Sequence, residues 1–197
     1  GSLAMPAEAK KKKKKPPPAP VATTLYLHGN QPLGEAELPE TWVDAIWHVM
    51  DATEPADGQA KSQFVTNYAG GPNPECSGNG LFPVWKGEIS GTIVGDVKVT
   101  LHTVATPAAQ INVELFADAN GGCNDMAQPA SAAAVVDVAP GQAVTEVVFE
   151  GVNIPVAGSI VLQLESIIPG APTQTRVFYD SSAMASSIQF GILPPAR

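Results

Sequence analysis

"DVKVTLHTVATPAAQINVELFAD", residues 96–118, decides the fold class. Val97, Val99 and Leu101 alternate with Lys98, Thr100 and His102. After a short "TPAAQ" break, Ile111, Val113 and Leu115 alternate with Asn112, Glu114 and Phe116. A period of two places the two sets on opposite sides of a pleated strand. Two such runs joined by a turn make an antiparallel pair with one apolar and one wetter face.

The same texture extends in both directions. "TTLYLH" (23–28), "SQFVTNY" (62–68) and "GEISGTI" (87–93) precede the pair as candidate strands. "SAAAVVDV", "AVTEVVFEGV", "SIVLQLESII", "TRVFYD" and "SSIQFGIL" follow it. Within the third of these, Ile160, Leu162 and Leu164 are expected to face the core, and Val161, Gln163 and Glu165 the solvent. "NGGCND", "APGQ", "IPVAGS" and "PGAPT" supply the turns between strands. Strand and turn recur at the spacing of an all-β antiparallel sandwich or jelly roll. "ELPETWVDAIWHVMD" (37–51) is ambiguous: Trp42, Ile46 and Val49 have helical spacing behind a capping Thr41. The sheet on either side favours an irregular strand that closes one end of the sandwich.

Few aromatics (6%) and abundant Gly and Pro agree with a turn-rich β domain. A length of 197 residues suits one such domain, expected over residues 23–197, behind a tail. Charge is divided between the two. Residues 10–15 are six lysines, whereas residues 16–197 hold five Lys or Arg against eighteen Asp or Glu, a formal charge of −13. A body this acidic disfavours nucleic acid and anionic lipid surfaces. No apolar run of about 18 residues offers a transmembrane helix.

The N-terminal "SLAMPAEA" has the small-x-small pattern of a signal-peptide cleavage site at Ala7-Glu8-Ala9, so residues 1–9 read as a leader remnant or a tag scar. Residues 10–22 read as a disordered Lys/Pro linker held extended by charge and proline. An exported, extracellular protein also suits a disulfide between Cys76 and Cys123, whose spacing fits neither a metal knuckle nor a redox pair.

From residue 87 to 194 the order of motifs resembles a known module. "GTIVGDVKVTLHTVATPAAQINVELFADANG", "VVFEGVNIPVAGSIVLQLES" and "RVFYDSSAMASSIQFGILP" are similar to the strand order of a jelly-roll domain related to galactose-binding-like folds. That domain stands at the C-terminus of X-Pro dipeptidyl peptidases and cocaine-esterase-type hydrolases. The resemblance implies a jelly roll and an accessory role. The family's Ser-His-Asp machinery sits in a separate α/β-hydrolase domain, so no catalytic residue carries over.

Read residue by residue, the chain offers few sites. Asp118, Asn120, Asn124 and Asp125 in "DANGGCND" are candidate oxygen ligands for calcium. The competing reading is a glycine-rich hairpin whose side chains bond backbone. Trp42, Trp47 and Trp85 are candidate sugar-stacking residues, set against the tendency of large aromatics to be buried. "GGPNPECSGNG" (70–80) is either a recognition loop or a connector pinned by the disulfide. Its Ser77 lacks the G-x-S-x-G setting of a nucleophile. His28, His48 and His102 have no metal-ligand spacing. Glu114, Glu146, Glu150 and Glu165 form a polar strand face, which for glycoside hydrolysis would need two carboxylates across a cleft lined by Phe116 and Phe178. The expectation is therefore a secreted, non-catalytic binding or accessory module with polysaccharide or cell-wall polymer as partner. The alternative is an adhesive protein whose lysines hold anionic wall polymers; a hydrolase ranks third.

Overall fold

In a computed structural model of the chain, the structure describes residues 18–29, 36–37, 48–65, 83–118, 130–167 and 175–195. They form twelve strands: β1 (Val21–Leu27), β2 (Ala36–Glu37), β3 (His48–Asp51), β4 (Lys61–Phe64), β5 (Val84–Glu88), β6 (Gly91–Ala105), β7 (Ala109–Ala117), β8 (Ala132–Val138), β9 (Gly141–Val156), β10 (Ser159–Ser166), β11 (Arg176–Tyr179) and β12 (Ser187–Leu193). No helix among the described residues is long and apolar enough to cross a membrane.

The strands make an all-β sandwich of two layers. In the first, β6 is the spine, paired along its length with β9 on one edge. Its other edge is shared: β12 takes Thr92–Thr100 and β11 takes His102–Val104. Beyond these lie β1 and, by way of β11, β4 and β2. The second layer runs β5–β10–β7–β8. β3 pairs antiparallel with β1 and parallel with β5, so it joins the layers along one side. Here the strand reading of residues 37–51 holds for the described part, 48–51; residues 38–47, with Trp42 and Trp47, lie outside the described residues.

The core follows from the alternation. Ile93, Val97, Val99 and Leu101 of β6 are fully buried against Ile111, Val113 and Leu115 of β7 and Ile160, Leu162 and Leu164 of β10. Lys98, Thr100 and His102 face outward, as expected. In β10 the expectation fails on one face. Val161 and Gln163 are buried too, because β10 lies between β5 and β7, and Val161 packs with Phe116 and Val84 in a second small apolar cluster.

Two strand boundaries are corrected. "GEISGTI" is the end of β5 and the start of β6, broken at Ile89-Ser90. "IPVAGS" contributes its first three residues to β9, and only Ala157 and Gly158 turn. β9 stays in one piece by means of a bulge. Its buried positions are Thr145, Val147 and Phe149, and then Ile154 and Val156, so the parity changes from odd to even. Gly95 pairs with Val152 while Val97 pairs with Phe149: two steps on β6 oppose three on β9. The additional residue is accommodated at Gly151, at φ 59, whose amide donates to Asp96 Oδ1 at 2.9 Å. Were β9 to keep one unbroken two-residue period through this point, with no bulge, its second half would present its apolar side to water.

Candidate functional site

The outer face of the β6 layer is built by strand register. One row across β9, β6, β11 and β4 is Val144–His102–Phe178–Ser62, and the row beside it is Gln142–Val104–Arg176–Phe64. On the other side come Glu146–Thr100–Ser187–Tyr26 and Val148–Lys98–Gln189–Thr24. Tyr26, Phe64, Phe178 and His102 are partly exposed, and Gln189 is exposed. Where β6 changes partner from β12 to β11, the Ser186 hydroxyl fills the gap. It accepts from the His102 amide at 2.9 Å and donates to the Phe178 carbonyl at 2.6 Å.

The charges on this face are spent internally. Lys98 Nζ is 2.5 Å from Glu146, and the Arg176 guanidinium lies 4.3 Å over the Phe64 ring. Burial holds His102 below the usual histidine range, which leaves a neutral imidazole with one donor and one acceptor. What remains is hydroxyl, amide, imidazole and aromatic edge, a set suited to an uncharged, hydroxyl-rich ligand with apolar ring faces.

At one end of the sandwich a second polar group ties loops together. Asp180, in the left-handed region at φ 59, accepts from the Gly29 amide at 2.9 Å and pairs with Lys61 at 3.1 Å. His28 Nδ1 is 2.5 Å from Asp180 Oδ1, and its Nε2 is 3.2 Å from Asp51 Oδ1. Burial raises the Asp180 carboxyl, but the Gly29 amide, His28 and Lys61 together outweigh it and hold it below the ordinary range. Asp51 is also lowered, chiefly by the Thr53 amide and hydroxyl.

The sequence candidates fare unequally. Asp118 has the same left-handed backbone, at φ 55, and its carboxylate takes the amides of Ala157, Gly158 and Ser159 at 2.7–3.2 Å. Burial raises its carboxyl, and these amides more than offset that, leaving it lowered. This is backbone bonding of the kind expected of a turn, directed at the β9–β10 turn. Asn120, Asn124 and Asp125 lie outside the described residues, as do Cys76, Cys123 and Ser77. Trp85 does not display a ring: it is fully buried, with its centroid 5.6 Å from both Tyr179 and His48, because the inward side of β5 carries it into the core.

The four glutamates do not share a face. Glu146 and Glu150 are on β9, whereas Glu114 and Glu165 lie on the outer side of the β10 layer, where Gln163 Nε2 donates to Glu114 at 2.8 Å. Burial, and then the nearby Glu114 charge, push the Glu165 carboxyl up. Phe116 and Phe178 are likewise on different layers. Sequence reading passed over Tyr26, Phe64, Arg176 and Gln189. Alternation in "VATTLYL" marks Tyr26 as an outward position, but nothing local shows that "KSQF" and "RVFY" become neighbours.

No family model matches the chain, and no curated protein matches its sequence. Solved structures match its fold. A CocE/NonD family hydrolase from Staphylococcus aureus is 10% identical with a TM-score of 0.53, covering 90% of this chain and 37% of the hydrolase. An aminopeptidase from a marine sediment Thaumarchaeota archaeon is 12% identical at 0.53, covering 88% and 37%. An α-amino acid ester hydrolase is 11% identical at 0.50, covering 86% and 36%. The chain thus spans just over a third of the length of each of these three structures. The jelly-roll resemblance read from residues 87–194 holds at the level of fold and extends through most of the chain.

Proposed function

We propose that the chain is a non-catalytic β-sandwich module that binds neutral polysaccharide on the outer face of the β6 layer and serves as an accessory unit outside the cell. The observation that carries this reading is the row His102–Phe178, with Tyr26, Thr100 and Gln189 on one side and Arg176 on the other. Flat sheet faces hold extended polymers without a deep pocket, and partly exposed aromatic edges supply apolar contact to sugar rings. Internal pairing of Lys98 and Arg176 favours a neutral ligand over an anionic one. The fold likeness to one third of several hydrolases supports an accessory role, and Ala7-Glu8-Ala9 supports export.

The test is retention on insoluble neutral polysaccharides, with Phe178→Ala and Tyr26→Ala as variants. Each is expected to weaken binding about tenfold, or about 1.4 kcal/mol, at unchanged melting temperature. Retention on no polysaccharide, or retention indifferent to both variants, refutes the reading. Turnover of ester, peptide or glycoside substrates would refute the non-catalytic part.

A further inference from the structure

β9 is a long strand with one free edge. It pairs with β6 alone, and among the described residues no other strand takes up the backbone groups on its far side. Proteins commonly blunt such an edge with prolines, bulges or charge. β9 has its bulge and proline only in its second half, at Gly151 and Pro155, and the charge in its first half is Glu146, which is paired with Lys98. Residues 142–149 run in unbroken register opposite 97–104. Alternate residues there turn N–H and C=O away from β6. The exposed side chains along this stretch are Gln142, Val144 (55%), Glu146 and Val148 (51%), followed by Glu150. Two half-exposed valines on either side of Glu146, with Glu150 beyond, on a body of formal charge −13, are a pattern for an incoming strand with apolar and basic residues in alternation.

We propose that residues 142–149 of β9 are a docking edge for an extended cationic segment of another protein, which adds a strand beside β9. Charge selects this occupant. A second copy would bring a body of formal charge −13 against one of equal charge. The six lysines at 10–15 carry no apolar residue to cover Val144 and Val148. Among the described residues, moreover, Lys61, Lys86 and Lys98 pair with Asp180, Glu88 and Glu146, and Arg176 lies over Phe64, so β9 faces no unpaired basic side chain of its own fold. The backbone edge of β9 is distinct from the row around His102 and Phe178, although Val144, Glu146 and Val148 border both.

The experiment uses the full chain and synthetic peptides of about eight residues, read by fluorescence anisotropy. An alternating Val/Lys peptide is expected to bind, and an alternating Val/Glu peptide at least tenfold more weakly. A Val/Lys peptide N-methylated at alternate residues, which keeps its charge but loses one edge of donors, should lose at least tenfold. Val144→Lys with Val148→Lys should do the same at unchanged melting temperature, and bound peptide should slow amide exchange within 142–149. Equal binding of the N-methylated peptide, or indifference to the double variant, would reduce the effect to bulk charge and overturn the proposal. So would a concentration-dependent dimer that excludes the peptide. A rise in affinity when the six lysines are changed to serine would show the chain's own tail as occupant, again against it.

Discussion

Inserting one alanine between Val152 and Asn153 is the sharpest test of how β9 is built. The bulge lets Thr145, Val147 and Phe149 face inward before it, and Ile154 and Val156 after it. One residue added beyond the bulge shifts the two-residue period by one, which turns Ile154 and Val156 to solvent and Asn153 and Pro155 toward the core. Ile154 and Val156 are now only 5% and 4% exposed. Exposing two such side chains costs about 3–6 kcal/mol. Turning the Asn153 amide inward without a partner adds about 1–3 kcal/mol. The sum is comparable with the whole stability of a domain, about 5–15 kcal/mol. Gly151→Ala is the control. A methyl there meets nothing within 4 Å, so only the left-handed backbone is penalised, at about 1–2 kcal/mol. Urea unfolding followed by tryptophan fluorescence should show the insertion variant unfolded or shifted by several kcal/mol, with the Gly151→Ala variant near the parent. If the two variants unfold at the same midpoint, the parity argument is wrong.

Two further outcomes concern charge. The Glu165 carboxyl is raised by burial and by Glu114, so the folded state holds its proton more tightly than the unfolded chain, and stability falls as pH rises past the ordinary glutamate range. Glu165→Gln should therefore raise the melting temperature at pH 7 and lose that advantage at pH values below about 4. Asp118 is lowered, so its contribution is present above the ordinary aspartate range and disappears as acid titrates it. Asp118→Asn should destabilise by about 1–2 kcal/mol at neutral pH, with the gap closing in acid thermal melts. A gap that does not change with pH would mean the carboxylate charge is irrelevant to the β9–β10 turn.

The layer class and much of the core were legible because strand alternation is local. Val97, Val99 and Leu101, and Ile111, Val113 and Leu115, announce their burial with no knowledge of partners. "VVFEGVNIPV" carried its bulge in plain view, as a change of parity at a glycine, although the segment reads first as a strand ending in a turn. β10 was misread on one face because its hydrophobic-polar alternation does not show that it stands between two neighbours, where even Gln163 is enclosed. Trp85 was a candidate ligand platform only while its side of β5 was unknown.

The candidate site was the least legible part, since its residues lie far apart in the chain. Phe178 sits beside His102, and Arg176 beside Phe64, because β6 exchanges β12 for β11 partway along its edge, with Ser186 at the joint. No local pattern encodes that exchange. By itself the sequence determined which side of most strands is apolar, where the chain turns, and how charge divides between the lysine tail and the acidic body. Each of these depends on nearest neighbours along the chain. Only the tertiary structure decided which outward residues share a face, which strand keeps a free edge among the described residues, and which carboxylates come close enough to repel. Register between distant strands is set by the packing of the whole core rather than by any one segment.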